Sequence, residues 1–264
     1  MYLSGILLAG GASSRFKSNK LRSSIGPIPL YANQLIKLLF FCEEVIISTN
    51  TPGSYFLTRD IKRIGEYLTL IDPSFSDIGD KEITIVTDKQ AKGINRSKKG
   101  IGPILGLYNG LDRIKGDRAI VTAFDMPLIS YLLLDTFRSY AFDLSDKEAA
   151  IIKGSKGFES LCGVYSKMFS DRLRQNINRG EFKISLSYNN SCTKIINIGD
   201  LYPLGIDDLN FFNVNKEEDL RNFFKIFYGE VDDDDAGSDN SRFIRKWKDY
   251  FYRKTDKAIK YQET

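Results

Sequence analysis

The sequence predicts a doubly wound α/β domain with a mostly parallel sheet, followed by a C-terminal helical extension. Two observations carry this prediction. Short runs of β-branched and aliphatic residues alternate along residues 1–228 with longer segments of helical periodicity, as expected for strands joined by crossover helices. The first run, Ser4–Leu8, leads into Gly10 and Gly11, and a glycine loop after the first strand is typical of the binding crevice in such sheets.

The predicted strands are short runs rich in apolar and β-branched residues, and Ser4–Leu8 and Arg118–Phe124 are predicted to be buried. In chain order the predicted strands are Ser4–Leu8, Glu44–Ser48, Glu82–Thr87, Arg118–Phe124, Ala149–Lys153, Ser160–Ser166, Lys194–Ile198 and Phe211–Val214. The predicted helices repeat apolar residues every three or four positions, which places those residues on one face. They are Tyr31–Phe41, Tyr55–Leu68, Ile104–Ile114, Leu132–Tyr140, Met168–Asn178 and Lys216–Phe227, and a loop covers Asp88–Gly102.

The composition is that of a globular protein that works without histidine. Of the 264 residues, 42% are hydrophobic and 27% are charged, and none is histidine. Ser-His-Asp catalysis, Cys-His catalysis and histidine metal ligands are therefore excluded. Cys42, Cys162 and Cys192 are widely spaced, which indicates reduced thiols. No apolar run approaches the roughly 18 residues of a membrane helix and no export pattern is visible, so we expect a cytoplasmic protein without a membrane span.

Charge is distributed unevenly toward the C-terminal end. Residues 1–228 carry a net charge of +5, which is too low to indicate a nucleic-acid-binding protein, and we expect no nucleic-acid partner. Residues 229–240 hold six acidic residues and no basic ones, which predicts a solvated linker. Residues 241–264 combine aromatic residues at helical spacing with eight lysines and arginines, which predicts a basic amphipathic helix. We interpret this helix as docking on the body or on a protein partner, with membrane-surface or nucleic-acid contact as alternatives.

The glycine loop also brings two cations to the end of the first strand. Gly10 and Gly11 let the backbone approach a phosphate and present N–H groups to it, while Arg15 and Lys20 add positive charge. The spacing fits neither GxGxxG nor the GxxxxGK[ST] P-loop. On spacing alone, a glycine turn with two exposed basic residues explains the loop equally well.

Four motifs in the same order resemble the molybdenum cofactor guanylyltransferase (MobA-like) family of nucleotidyltransferases. Leu8-Ala9-Gly10-Gly11-x-Ser13-x-Arg15 followed by Lys20 is similar to LAGGxSxRMGxxK, with Lys17 standing where the pattern has glycine. Residues 102–107 are similar to GPLAGI, residues 122–127 to xxCDMP, and residues 212–220 to FxNINTPEDL. The resemblance covers roughly residues 3–225, so it excludes the acidic linker and the basic tail.

This resemblance implies a Rossmann-like nucleotidyltransferase fold and transfer of GMP from GTP to the phosphate of a molybdopterin-type cofactor, with pyrophosphate released. It implies Mg²⁺ held by Asp125, with Lys20, Arg15 and Asp125 as the catalytic residues. It places the nucleotide at Leu8, Ala9, Gly10, Gly11, Lys20, Asn50, Asp88 and Gly102, and the substrate side at Asn213 and Asn215. Read without the resemblance, Asp125 also fits a turn before Met126-Pro127, and the two asparagines fit turn and helix-capping positions.

Two other functions remain open from the sequence. One is a related cytidylyl- or sugar-phosphate nucleotidyltransferase, which would share the glycine loop and differ in base selection. The other is a non-catalytic nucleotide-binding protein, for which Lys17 would mark an altered loop. Magnesium-dependent GTP binding without pyrophosphate release would identify the second alternative.

Overall fold

A seven-stranded, mostly parallel sheet forms the centre of the structure. The structure is a computed structural model that describes residues 2–10, 20–90, 93–94, 101–228 and 240–249. Helices cover both faces of the sheet, so the predicted fold class is confirmed, including the C-terminal helix. No helix within the described residues has the length and hydropathy needed to span a bilayer.

The strands of the described residues are numbered in chain order. They are β1 (Leu3–Leu8), β2 (Ser24–Ile25), β3 (Ile28–Pro29), β4 (Glu44–Thr49), β5 (Glu82–Thr87), β6 (Arg118–Ala123), β7 (Ala149–Gly154), β8 (Gly157–Ser166) and β9 (Thr193–Asn197). The helices are α1 (Leu30–Phe41), α2 (Thr51–Asp60), α3 (Ile64–Ile71), α4 (Pro103–Arg113), α5 (Tyr131–Asp143), α6 (Phe169–Arg179), α7 (Glu217–Tyr228) and α8 (residues 240–249). Strands β2 and β3 form a separate ribbon.

The strand order creates a topological switch point beside β1. The order is β5-β4-β1-β6-β8-β7-β9. From β1 the chain proceeds outward through β4 to β5 and then crosses back to β6, on the other side of β1. Strand β8 is antiparallel to its neighbours β6 and β7, and the other pairs of this sheet are parallel. In open α/β sheets a crevice forms at such a switch point, outside the carboxyl ends of the two strands.

Strand β1 shows why the sheet needs helices on both faces. Its residues Leu3 and Leu7 belong to the apolar core under α1 and α5. Ile6 and Leu8 belong to the core under α4 and α6. Alternate side chains of a strand point to opposite faces, so an unbroken apolar run buries both.

The predicted helix Tyr55–Leu68 is wrong in its bounds, because the structure has two helices there. Helix α2 begins earlier, since the Asn50 side chain accepts a hydrogen bond from the Gly53 N–H at 2.8 Å and so caps the helix. The 3₁₀ turn Ile61–Arg63 then separates α2 from α3. It follows Asp60, whose carboxylate accepts a hydrogen bond of 2.5 Å from the Tyr31 hydroxyl.

The predicted strand Phe211–Val214 is also wrong. Residues Asp208–Phe211 form a 3₁₀ turn, and the segment after it is extended without joining a sheet. Its backbone contact to the sheet end is a single bond of 2.8 Å from Val214 N to Asp125 O. Three apolar residues around Asn213 satisfied the strand pattern, but burial of Phe211 and Val214 in the apolar core explains them as well.

Helix α8 packs its aromatic face on the body of the protein. Phe243 is 1% exposed and Trp247 is 3% exposed, and both belong to the core that contains α1. The division into a nucleotidyltransferase domain of residues 1–228, a linker of residues 229–240 and a tail of residues 241–264 stays a prediction. Residues 229–239 and 250–264 lie outside the described residues.

Truncation after Tyr228 should leave a folded, nucleotide-binding domain whose free energy of unfolding is lower by about 3 kcal/mol. Burying one large apolar side chain contributes roughly 1.5–3 kcal/mol, and the truncation removes Phe243 and Trp247. Urea unfolding followed by circular dichroism measures the change. Lys246→Ala is the control, because its side chain is exposed on α8 and its removal keeps both aromatic contacts. An insoluble truncated chain would show that the tail belongs to the domain.

Candidate functional site

Four neighbouring strands present predicted site residues at one edge of the sheet. The register aligns β5, β4, β1 and β6 so that their carboxyl ends are neighbours. Asp88, Asn50, Gly10 and Asp125 follow these four strands in that spatial order. Three inter-strand spacings, about 14 Å in total, separate the first strand from the last. The edge therefore forms an extended row with the switch point between Gly10 and Asp125.

Lys20 and Asp125 form an ion pair at the switch point. The Lys20 Nζ lies 2.7 Å from Oδ2 of Asp125 and 3.1 Å from Oδ1 of Asn215. It also lies 5.3 Å from the centre of the Phe124 ring, within the range of a cation–π contact. Lys20 is only 9% exposed. The structure thus brings together three of the predicted residues, because Asp125 and Asn215 both bind the Lys20 ammonium group.

Asp125 and Asn215 are fixed by the segment that leads into α7. Val214 N donates to the Asp125 carbonyl at 2.8 Å, and Asn215 N donates to the Asp219 carboxylate at 2.7 Å. Asp219 lies in the first turn of α7, where a carboxylate accepts otherwise unpaired N–H groups. The bond from Val214 therefore holds the segment before α7 beside Asp125, and the bond to Asp219 fixes Asn215 at the start of the helix.

Asn213 is placed differently from Asn215. Its Nδ2 donates to the Phe211 carbonyl at 3.0 Å, so this amide stabilises its own loop. Among the described contacts, none joins the Asn213 side chain to the Lys20 group. Its substrate-side role stays a prediction.

The end of β1 is held by backbone hydrogen bonds to its two neighbours. The Ala9 N–H donates to Ser48 O at 2.8 Å, and Leu8 O accepts from the Phe124 N–H at 3.1 Å. Gly10 is exposed beside β4, where an added Cβ would lie 3.7 Å from the Asn50 backbone nitrogen. Nucleotide contact by these residues stays a prediction, and Gly11, Arg15 and Lys17 lie outside the described residues.

The first half of α4 lies over the carboxyl ends of β1 and β4, where a Cβ at Gly106 would lie 3.5 Å from Leu8 and 3.4 Å from Ser48 Oγ. Gly102 has φ 75°, a left-handed conformation that favours glycine, and Pro103 begins the helix. The Thr87 carbonyl accepts a bond of 2.9 Å from Asn109 on α4, and burial raises the pKa of the adjacent Asp88 carboxyl. Helix N-termini favour anions, so the part of the edge that α4 covers also suits phosphate or another anion.

Three buried polar residues of α1 hold the loop that contains Asp125, a role that the sequence did not predict. Gln34 Nε2 donates to the Met126 carbonyl, and Asn33 Nδ2 donates to Pro127 O at 3.3 Å. Lys37 Nζ donates to Pro127 O and to the Ile129 carbonyl, each at 2.8 Å. Polar residues at positions 33, 34 and 37 share one face of an otherwise apolar helix. That spacing was the signal that could have identified them.

The amine of Lys37 should make stability depend on pH. Burial lowers the pKa of Lys37 to about 7 in the folded protein, from the ordinary 10.5 of an unfolded chain. Between these values the unfolded state binds more protons, so the free energy of unfolding rises with pH, by up to about 1.4 kcal/mol per pH unit. Below pH 7 both states carry the proton and this dependence disappears.

Urea unfolding of the wild type and Lys37→Met between pH 6 and pH 9 measures this effect. The difference between the two proteins isolates Lys37, because every other titrating group is common to both. We expect the wild type to gain stability relative to the variant above pH 7. A difference that is constant across this range would contradict the lowered pKa.

The oxygen atoms around Lys20 also fit a magnesium ion. Asp125 Oδ2 and Asn215 Oδ1 both approach one cation, the Lys20 ammonium. Mg²⁺ prefers oxygen ligands and is commonly held by one or two carboxylates together with substrate phosphates. The described residues contain no group of three or more carboxylate or thiol ligands. A dedicated protein cage is therefore absent from that part of the chain, and the donor set suits a metal that arrives with phosphate.

Comparison with known proteins gives a consistent result. The family model for a MobA-like NTP transferase domain matches residues 5–188. A protein of Thermococcus sibiricus named "Probable molybdenum cofactor guanylyltransferase" is 28% identical over 220 residues, which are 82% of this chain and 95% of that protein. The molybdenum cofactor guanylyltransferase of Desulfosudis oleivorans is 23% identical over 219 residues, 83% of this chain and 92% of that protein.

Solved structures share the fold. Molybdopterin-guanine dinucleotide biosynthesis protein A of Archaeoglobus fulgidus matches with a TM-score of 0.63 and 19% identity, over 86% of this chain and all of that one. The 4-diphosphocytidyl-2C-methyl-D-erythritol synthase of Anaerococcus prevotii matches with a TM-score of 0.54 and 15% identity, over 83% and 95% of the two chains. The first of these names refers to a guanine nucleotide and the second to a cytidine nucleotide. The shared fold therefore does not determine which base is bound.

Proposed function

The chain belongs to the MobA-like NTP transferase domain family, and we propose that it transfers GMP from GTP to the phosphate of a molybdopterin-type cofactor, releasing pyrophosphate. The observation that carries this proposal is the meeting of Lys20, Asp125 and Asn215 at the switch point of the sheet. The choice of GTP and of the acceptor is supported by the names of the curated relatives.

The proposed reaction requires charge neutralisation and positioning more than covalent chemistry. A phosphate oxygen of the acceptor forms a bond to the α-phosphorus of GTP, and the bond from that phosphorus to the pyrophosphate oxygen breaks. The acceptor oxygen is already ionised, so no general base is needed, which suits a chain without histidine. Preorganised cations near the leaving group are the main source of rate acceleration in such transfers.

Each residue at the switch point has a role that follows from its position. The Lys20 ammonium neutralises charge on the departing pyrophosphate, and Asp125 and Asn215 orient it through the bonds of 2.7 and 3.1 Å. Asp125 and Asn215 would also hold Mg²⁺. When bound, this ion supplies positive charge to the phosphates. The exposed Gly10 leaves room for phosphate beside β4, and the N-terminus of α4 attracts negative charge to the same edge of the sheet.

A cytoplasmic location is part of this proposal. It is supported by the three cysteines, which are all unpaired and buried in the structure. Free thiols persist in reducing compartments, whereas exported proteins usually oxidise their cysteines.

A pyrophosphate-release assay tests the proposed function directly. The purified full chain is supplied with Mg²⁺, one of the four nucleoside triphosphates and a molybdopterin-type cofactor, and each reaction is repeated without the acceptor. We expect release with GTP that requires both the acceptor and Mg²⁺. Release with CTP in place of GTP would overturn the base assignment. GTP binding without release would identify a non-catalytic nucleotide-binding protein.

A further inference from the structure

Helix α8 lies outside the part of the chain that the family model matches, which ends at residue 188. It nevertheless packs into the core of the body. A Cβ at Gly26, which has φ +61°, would lie 2.5 Å from the Phe243 ring, so this glycine makes room for the helix. Phe243 also contacts Phe227 of α7, with ring centres 5.5 Å apart. The Phe243 ring thus fits beside Gly26 and packs on α7, which fixes the position of α8 on the body.

One hydrogen bond connects α8 to the polar face of α1. The Trp247 indole N–H donates to Oδ1 of Asn33 at 2.7 Å, and both residues are buried. An indole N–H can only donate, so it requires the oxygen of the amide. The other end of the amide, Nδ2, is thereby directed at the Pro127 carbonyl, 3.3 Å away. Asn33 therefore links an acceptor in the Asp125 loop to a donor in α8.

We propose that Trp247 is a positioning residue for the Asp125 loop, acting through Asn33. Pro127 is two residues after Asp125, and its carbonyl accepts from both Asn33 and Lys37. Loss of the indole donor leaves the buried Asn33 oxygen unpaired and frees the amide to turn over, which weakens the bond to Pro127. The loop then holds the Asp125 carboxylate less firmly against Lys20. The catalytic consequence rests on the proposed function, whereas the physical coupling does not.

Hydrogen exchange and kinetics of Trp247→Phe in the full chain test the proposal. Lys248→Met is the matched control, because it breaks the 2.7 Å ion pair of α8 with Asp72 and leaves the Asn33 contact in place. We expect faster amide exchange over residues 124–130 in Trp247→Phe than in the control, measured by mass spectrometry. We also expect kcat for GMP transfer to fall about 10-fold, the size of effect seen for residues that orient metal ligands, with KM for GTP nearly unchanged.

A double-mutant cycle separates the link through Asn33 from general loosening of the helix. Asn33→Ala alone should accelerate exchange over residues 124–130, and adding Trp247→Phe to it should cause no further acceleration there. If Trp247→Phe fails to fold, the tryptophan analogue with sulfur in place of the indole N–H removes only the donor. The chain has a single tryptophan, so the analogue enters at one position.

The outcomes distinguish this proposal from the proposed function. Equal loop exchange in Trp247→Phe and Lys248→Met, or additive effects in the cycle, would overturn the positioning role. A wild type that never transfers GMP, but whose loop exchange still depends on Trp247 through Asn33, would overturn the proposed function and support the coupling.

Discussion

Asp125→Asn is expected to lower kcat for GMP transfer by about 100- to 1000-fold, the range seen when one preorganised electrostatic contact is removed. The substitution keeps the shape of the side chain and removes its charge. Lys20 loses its 2.7 Å ion-pair partner, and the carboxylate that would hold Mg²⁺ is replaced by a neutral amide. Steady-state pyrophosphate release over a magnesium titration measures the loss.

Asp171→Asn is the control for Asp125→Asn. Asp171 pairs with Arg174 on the exposed surface of α6, so its loss removes a carboxylate and an ion pair away from the switch point. Its activity should equal that of the wild type. A normal magnesium titration in Asp125→Asn would place the metal elsewhere and contradict the site.

Lys20→Met is expected to lower kcat about 100-fold, which corresponds to roughly 2.7 kcal/mol of lost transition-state stabilisation. Methionine fills a similar volume, so the site loses the charge that would face the leaving pyrophosphate. Circular dichroism of the variant checks its fold, because removing the ammonium leaves the mostly buried Asp125 carboxylate without its ion-pair partner. Single-turnover transfer at saturating GTP separates this loss from weaker binding.

Lys81→Met is a matched control, because Lys81 is also a partly buried lysine with short hydrogen bonds. Its Nζ donates to the carbonyls of Leu39 and Cys42, at 2.7 and 3.0 Å. It precedes β5 and so lies at the amino edge of the sheet, opposite the site. Near-wild-type transfer by Lys20→Met would remove Lys20 from the proposed mechanism.

Most of the sheet could be predicted because its strands are short runs of apolar and β-branched residues. Strand β5 occupies Glu82–Thr87 as predicted, and β1 and β6 differ from their predicted bounds by one residue at one end. The central strands β1 and β6 are buried and mostly apolar, so their runs are visible in the sequence. The edge strand β5 is only partly buried, and its β-branched residues are what made it visible. Asp125 was identified from the resemblance of residues 122–127 to the xxCDMP motif, because its position after β6 alone also fits a turn.

The support of the site could not be predicted, because it depends on contacts between distant segments. The sequence showed Lys37 only as an interruption of an apolar helix, while the structure shows its amine holding two carbonyl groups of the Asp125 loop. The segment before α7 was interpreted as a strand for a similar reason. Its single bond to Asp125 is set by the placement of α7, which local pattern does not encode.

The long separations within the site also bear on how the protein is made. Lys20 and Asn215 are 195 residues apart in sequence, and Asn33 and Trp247 are 214 apart. Contacts between residues so far apart in sequence form late in folding, because closing a long loop costs conformational entropy. During synthesis the N-terminal part of the chain also emerges first. Before residue 215 has been added, Lys20 can pair with Asp125, but its ammonium group still lacks the Asn215 amide. The complete set of contacts around the Lys20 ammonium therefore forms only after residue 215 has been synthesised.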